Sequence, residues 1–295
     1  MTAEYEIIRN EYEQQLHSHW AAKQHDDINL LLGAMDGLYH HHYAVGDFDR
    51  TVLTVPADQR QQLILREMHR MESEQVELIL DGLGAVPANA RVLDAGSGRG
   101  GTSFILHDRL GCRVDGVNFC EHHIAFSRKL AEARGCGDSV RFHYANMTAT
   151  GFPDASYQYV VSNETTMYVD LFEAFHEFAR LLEPGGRYVL VTWCANDAVA
   201  ASGASPEIDA INDHYVCRIH PRSTYMRALA ANGLVPSKVR DLTAEAIPYW
   251  ELRSHSELRT GVESAFLQGY RSNRLNYLLV AAELAQSPPR VSHEG

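Results

Sequence analysis

A chain of 295 residues with 26 Lys and Arg against 38 Asp and Glu, a formal charge of −12, suits one core of roughly 200 residues with added segments. The negative balance and the lack of any long Lys/Arg cluster exclude nucleic acid and an anionic membrane as expected partners, and no apolar run approaches the ~18 residues of a membrane span. Five scattered cysteines without a Cys-x-x-Cys pair, and acidic, polar residues after Met1, read as free thiols of a cytoplasmic protein without a signal peptide. A small anionic substrate would need a local arginine site or a divalent cation.

Residues Thr2–His25 space Tyr5, Ile8, Tyr12, Leu16 and Trp20 near 3.6, which predicts an amphipathic helix packed on the core or laid as a lid over a ligand. In Gly37–Asp49, GLYHHHYAVGDFD, the three adjacent histidines point in different directions and do not form one metal-ligand set. Tyr39 and Tyr43 are better candidates to face a ligand there. Gln61–Gly84 is a strong amphipathic helix, with Leu65, Met68, Met71, Val76 and Leu80 on one side.

That helix leads into Arg91–Gly101, RVLDAGSGRGG, a strand running into a glycine turn and a helix from about Thr102. The glycines permit positive φ and leave room for a ligand, and the helix N–H groups suit a polar ligand end. Dinucleotide-binding proteins use a similar turn, but two details differ. Asp94 stands just before the glycines, and the spacing is Gly-x-Gly-x-Gly. A carboxylate there repels a pyrophosphate and attracts an ammonium or sulfonium. The pattern resembles that of class I methyltransferases, which implies that Asp94, Gly96 and Gly98 hold the methionine end of S-adenosylmethionine.

The second strand, Cys112–Phe119, ends in Asn118 and Phe119 where such proteins meet the ribose; Asn118 can donate to or accept from a hydroxyl. The third, Ser139–Met147, brings Asn146 and Met147 to the adenine, and the fourth, Tyr157–Glu164, ends in Asn163 and Glu164. The run Thr165–Asp170 opens a helix to Leu182. Glu183–Gly186 is a tight turn into a fifth strand, Arg187–Cys194, a second likeness to methyltransferases. Ala195–Pro206 reads as a loop, with helices at Glu207–Tyr215 and Ser223–Ala231. Lys238–Thr243 and Asn276–Glu283 are the sixth and seventh strands, Tyr249–Tyr270 a long, partly aromatic helical region, and Gln286–Gly295 a disordered tail. The expected fold is α/β: a Rossmann-like class I methyltransferase with a seven-stranded, mostly parallel sheet. Residues 1–84 would be an N-terminal helical lid and pre-core helix, and 85–285 the core, with helical insertions at about 195–235 and 244–275 covering the substrate.

Glu164 falls at the carboxyl end of a strand, where sites of open α/β sheets form, among Tyr43, Tyr168, Tyr215, Tyr249 and Trp250. Aromatic faces and a base suit methylation of an alkene carbon, which leaves a cation and then a proton to remove. The alternatives are that the aromatics are core and that Glu164 caps the next helix.

LYHHHY (Leu38–Tyr43), NETTMYVDL (Asn163–Leu171), INDHYVCRIH (Ile211–His220) and LVPSKVRDLT with PYWELR (Leu234–Arg253) resemble the geranyl diphosphate C-methyltransferases, a likeness running from about Asn29 to Glu283. It implies methyl transfer from S-adenosylmethionine to carbon 2 or carbon 6 of geranyl diphosphate for terpenoid biosynthesis, with Mg²⁺ held mainly through the substrate's diphosphate, and a homo-oligomer. It makes Tyr43 and Glu164 the candidates for proton removal, Glu164 favoured. Tyr39, Tyr43, Tyr168, Tyr215, Tyr249 and Trp250 become the substrate site. Tyr215 stands where the family commonly carries a phenylalanine, and the small residues of Ala198–Glu207 stand near large ones in relatives. The latter would make room for a longer substrate such as farnesyl diphosphate. Other readings are methylation of a small alcohol or amine, a silent cofactor-binding scaffold and, weakest, a nicotinamide dehydrogenase.

Overall fold

A computed structural model describes residues 7–24, 27–203 and 205–285. In chain order they form α1 (Glu11–Ala22), α2 (Asp27–Gly33), α3 (Ala57–Leu83), β1 (Arg91–Ala95), α4 (Gly101–Leu110), β2 (Arg113–Asn118), α5 (Glu121–Ala133), β3 (Val140–Tyr144), β4 (Tyr157–Asn163), α6 (Leu171–Leu181), β5 (Leu182–Ala195), α7 (Asp197–Ser202), α8 (Pro206–Tyr215), α9 (Arg222–Ala231), β6 (Leu234–Asp241), α10 (Thr243–Ser254), α11 (Glu263–Arg271) and β7 (Leu275–Leu284). Short 3₁₀ turns lie at Arg50–Leu53 and Thr166–Tyr168.

The strands make one sheet in the order β3-β2-β1-β4-β5-β7-β6. β1 to β5 pair in parallel, and β7 runs antiparallel to β5 and β6. The chain leaves β1 toward β2 and β3, then returns to the other side of β1 with β4. The strand order therefore reverses between β1 and β4, where a crevice opens beyond the carboxyl ends. Successive side chains feed opposite faces. Val92, Val161, Val189 and Val191 join a core with α3, α4, α10 and α11, while Leu93, Val160, Tyr188 and Leu190 join another with α6 and α9.

The element boundaries depart from the sequence reading where local chemistry is strong. α1 begins at Glu11 because Asn10 accepts the Glu13 N–H at 2.9 Å; residues 1–6 and the tail 286–295 lie outside the described residues. β3 stops at Tyr144 because Asn146 folds onto its own turn, accepting from the Thr148 N–H at 3.0 Å. Glu183–Gly186 loop out within β5, so that Tyr157 pairs with Leu182 and Tyr159 with Arg187. The stretch read as a loop after Ala195 contains α7, capped by Asn196 on the Ala198 N–H; its alanines are strong helix formers. The long aromatic helical region is two helices, because Glu263 accepts the N–H groups of Thr260 and Gly261 and starts α11 afresh. β6 begins four residues early, as an exposed edge strand that tolerates Pro236 at a register shift.

Candidate active site

The glycine turn follows β1, and a cleft of about 780 Å³ opens beside it. Gly96 has φ 91°, and a Cβ there would come within 2.4 Å of the Thr165 side chain. Thr165 in turn donates to the Ala95 carbonyl at 2.8 Å, locking the segment after β4 onto the turn. Asp94 is buried, accepts from Ser103 Oγ at 2.5 Å and is pushed up to about 6 by burial. It lines a smaller cavity of about 260 Å³ with Tyr39, Ser97 and Gly101, and this cavity shares Gly96 and Asn163 with the main cleft. Ser97 Oγ is buried there without a hydrogen-bond partner.

Gly98, Asn118, Phe119, Asn146 and Met147 line the main cleft as the sequence reading placed them. Two polar groups differ in what they offer. Asn118 spends its carbonyl on the Cys120 N–H at 2.7 Å, so its amide nitrogen is the remaining donor. Asn146 spends both ends, its carbonyl on Thr148 and its amide on the Ile7 carbonyl at 3.0 Å. The Ile7 contact belongs to the lid: Glu13, Leu16 and Trp20 of α1 cover the cleft. Arg99 holds the far end of that lid by donating to the Gln24 carbonyl at 3.1 Å.

Glu164 sits one residue past β4 with φ 53°, a left-handed conformation that costs a non-glycine residue on the order of 1 kcal/mol. Its Oε1 accepts from the Tyr277 hydroxyl at 2.5 Å and from the Tyr43 N–H at 3.2 Å. Its Oε2 is buried and makes no close hydrogen bond. Burial raises the carboxyl to about 7, against the hydrogen bonds from Tyr277, the Trp193 indole and the Tyr43 N–H. The helix-cap alternative is removed, because Asp170 caps α6 by accepting from Phe172 and Glu173.

The surroundings hold this carboxylate on both sides. Gln75 donates to the Tyr277 hydroxyl at 3.0 Å and exchanges two bonds with Asn163 at 2.8 and 2.9 Å. On the other side, His42 Nδ1 is 3.0 Å from the Tyr43 carbonyl, which can only accept, so Nδ1 carries the proton. His42 Nε2 then accepts from His40 Nδ1 at 3.1 Å, and His40 Nε2 from the Ser73 hydroxyl at 3.1 Å. Burial holds both rings neutral, His42 lowered to about 4. His41 points the opposite way and accepts from Arg99 at 3.0 Å, so the three histidines share no coordination point.

Near Glu164 the aromatic residues form one cluster, whose members Tyr43, Trp193 and Tyr215 wall a chamber. The Tyr43 ring lies 4.4 Å from Trp250 and 5.8 Å from Phe266 and Tyr249. Trp250 stacks on Phe266 at 3.7 Å. Trp193 packs edge-on to Phe266 at 4.9 Å, and the Tyr43 and Tyr215 hydroxyls hydrogen-bond to each other. Tyr249 stands behind Tyr43 with its hydroxyl donating to Glu72 at 2.5 Å. Tyr168 lies where the two spaces meet, lining both the cofactor-sized cleft and a neighbouring cavity of about 490 Å³.

That neighbouring cavity is cationic. Lys23 and Arg253 line it with Asn29, Tyr43 and Tyr215, and no carboxylate does. Arg253 is only 3 % exposed, pairs with Glu263 at 3.2 Å and lies over the Tyr43 ring at 5.5 Å. Such a lining suits an anion next to apolar chain. Three expected substrate residues stand apart: Tyr249 and Trp250 line neither cavity and pack behind Tyr43, and Tyr39 has its ring against Phe126 at 4.7 Å beside the Asp94 cavity. Among the described residues of Ala198–Glu207 none lines either cavity, and Val199 packs on the core. Sequence reasoning missed Trp193, Arg253, Phe266 and Tyr277. Trp193 and Tyr277 sit in buried strands where aromatics read as core, and Arg253 carried only its place in the PYWELR motif.

A glycine turn after β1, a carboxylate beneath it and polar strand ends around one cleft define a class I methyltransferase. Comparison agrees: residues 92–186 match the methyltransferase domain family. The chain is 46% identical over 272 residues to the geranyl diphosphate 2-C-methyltransferase of Saccharopolyspora erythraea, covering 92% of this chain and 94% of the relative. It is 44% identical to that of Streptomyces lasalocidi, over 87% of this chain and 85% of the relative. A crystal structure of the Streptomyces coelicolor geranyl diphosphate C-methyltransferase with Mg²⁺, geranyl diphosphate and S-adenosyl-L-homocysteine matches with TM-score 0.88 and 39% identity. The match covers 94% of this chain and 99% of that one. A geranyl diphosphate methyltransferase bound to GPP and sinefungin matches with TM-score 0.88 and 42% identity, over 94% of this chain and 100% of that one. The chain belongs to the geranyl diphosphate 2-C-methyltransferase family. No helix among the described residues is long and apolar enough to cross a membrane.

Proposed function

We propose that the chain methylates carbon 2 of geranyl diphosphate, with S-adenosylmethionine as methyl donor and Glu164 as the base. The observation that carries this reading is Glu164 Oε2: a buried carboxylate oxygen with no close hydrogen bond, beside an aromatic chamber, on a group raised to about 7. The cofactor fits on two grounds, the partnerless Ser97 Oγ beside buried Asp94 and the approach space kept by Gly96. Asp94, Gly96 and Gly98 would hold its methionine end, Asn118 the ribose through its amide, and Phe119, Asn146, Met147 and Asn163 the remaining wall. S-adenosylmethionine supplies an electrophilic methyl group carried on a sulfonium.

The cavity lined by Lys23 and Arg253 takes the diphosphate. Mg²⁺ would be held mainly by diphosphate oxygens, since the lining offers no carboxylate. Methylation at carbon 2 leaves a tertiary cation at carbon 3, and the rings of Tyr43 and Trp193, which line the cavity, stabilise it while excluding water. Glu164 Oε2 accepts the carbon 2 proton, restoring the double bond; Tyr277 and the Tyr43 N–H keep Oε1 fixed as it does so. Tyr43 contacts the cation, Tyr168 and Tyr215 shape the chain's path, and Tyr249 and Trp250 support Tyr43 from behind. Tyr39 belongs with the cofactor end. We also assign residues 1–84 to an N-terminal lid and the pre-core helix α3, 85–285 to the methyltransferase core, the cytoplasm as compartment, and a homo-oligomer as the working form. The exposed Leu31 of α2, Met35 in the turn after it, and Val235 and Val239 of edge strand β6 offer apolar surface for association.

Incubation with S-adenosylmethionine, Mg²⁺ and geranyl diphosphate, followed by phosphatase and NMR, tests the reading. Methylgeraniol bearing the new methyl at carbon 2 is expected. A methyl at carbon 6, or methylation of an alcohol or amine without need of diphosphate, would sink it.

A further inference from the structure

A second group of side chains stands at the start of α5. Cys120 is the residue preceding the helix, yet its thiol makes no capping bond, and Asn118 takes the Cys120 N–H instead. Two residues on come His122 and His123. One donor atom from each of Cys120, His122 and His123 falls within 4.8 Å of the others, and the Cys120 sulfur lies 3.1 Å from His122 Nδ1. His123 supplies an independent sign that a partner belongs here. It is 3 % exposed, and neither ring nitrogen has a hydrogen-bond partner. Two orphaned polar atoms on one buried ring are rare and costly, and call for a ligand. His122 is half-buried, giving an entry path.

We propose that Cys120, His122 and His123 form a three-donor site for a soft divalent cation of the zinc class, and that its occupation weakens cofactor binding. One sulfur and two imidazoles match the donors such ions take at about 2.0–2.3 Å. Closing donors spread over 4.8 Å to those bond lengths is a small movement, because all three lie within four consecutive residues at the start of one helix. The Cys120 thiol proton passes to solvent as the metal–sulfur bond forms. A hard cation is disfavoured: the set has no oxygen donor, and the Arg99 guanidinium lies near both Cys120 and His123. The site is therefore separate from the Mg²⁺ of the diphosphate. The link to the cofactor is His123 itself, whose ring lines the main cleft with Asn118 and Phe119. Drawing that ring onto a metal changes the ribose end of the cleft, and the coupling is reciprocal.

The inference rests on the cofactor assignment for its coupling and on nothing but these residues for the site. The test uses the full chain freed of metal with a chelator. Cofactor affinity is measured first on that metal-free protein; failure to bind S-adenosylmethionine at this stage would sink the functional reading and leave the metal experiment intact. Titration with Co²⁺ should then give a thiolate-to-cobalt charge-transfer band at about one equivalent per chain. Zn²⁺ should abolish the band, and excess Mg²⁺ should not. Cys120→Ser should remove the band, and His122→Gln, at a half-buried position, should weaken Co²⁺ binding without perturbing the fold. Zn²⁺ should weaken S-adenosylmethionine binding about tenfold in the parent chain and not in Cys120→Ser. Absence of the band, its survival in Cys120→Ser, or an equal effect of Zn²⁺ on cofactor binding in both proteins would overturn the proposal.

Discussion

The cofactor cleft and the aromatic chamber adjoin, yet they are built in opposite ways. The floor of the cleft is assembled from the carboxyl ends of successive strands, β1 to β4, and the segments that follow them up to Val169, with α1 laid over it. The chamber draws on the loop holding Tyr43, on β5 with Trp193 and on α8 with Tyr215, backed by α10 and α11 with Trp250 and Phe266. A parallel sheet fixes where strand ends fall, so the cleft follows from topology. The chamber depends on how helices outside the sheet pack. Glu164 belongs to both, being delivered by β4 and held by Tyr43 and Tyr277.

Substitutions should separate the two regions. Glu164→Gln removes the base and keeps the shape, so turnover should fall by about 10²–10⁴-fold in steady-state assays. Cofactor affinity, measured by calorimetry, should stay within about threefold; a parallel loss of both would mean that Glu164 serves the cleft. The sign of its effect on stability is also fixed. Burial raises the carboxyl from 4.5 to about 7, so the folded state holds this proton more tightly than the unfolded chain. The stabilisation is full below the unfolded value and disappears as pH rises through 7. Glu164→Gln should therefore melt at higher temperature than the parent at pH 8, and show less advantage at pH 5.

Gly96→Ala should do the reverse damage. It adds a Cβ within 2.4 Å of Thr165 at φ 91°, straining the turn by about 1–3 kcal/mol. S-adenosylmethionine affinity should drop more than about tenfold, while the near-ultraviolet dichroism of the chamber's tryptophans stays in place. The parent's pH profile should sharpen the base assignment: kcat/KM should fall about tenfold per unit below pH 7 as Glu164 takes up its proton. A flat profile from pH 5 to 8 would point to another base. The smallest effect belongs to Tyr215→Phe, which breaks one neutral hydrogen bond to Tyr43 and should change kcat by about two- to fivefold. An effect as large as that of Glu164→Gln would show that the tyrosine pair takes part in proton removal.

The same contrast decides what could be read from the chain. Asp94 and the glycines, Asn118 and Glu164 were legible because a period-two strand ending in a polar residue fixes that residue's place above the sheet. Even there the polar roles of Asn118 and Asn146 were not, since each is spent on a backbone N–H two residues ahead. Tyr43, Tyr215, Tyr249 and Trp250 were candidates as aromatics, and the family motifs grouped them into one expected site. Trp193, Phe266 and Tyr277 carried no such mark, and nothing local distinguishes a chamber wall from core. Tyr277 reaches Glu164 across 113 residues of chain. Arg253, which supplies the arginine site a negatively charged chain needs for an anion, became apparent only once α10 was packed against Tyr43.

The most direct test uses geranyl diphosphate carrying deuterium at carbon 2, with S-adenosylmethionine and Mg²⁺, and examines the dephosphorylated product by mass spectrometry and NMR. The account predicts 2-methylgeraniol that has lost the deuterium, with the reaction nearly abolished in Glu164→Gln. A methylated product that keeps the deuterium, or one formed at the parent's rate by Glu164→Gln, would contradict it.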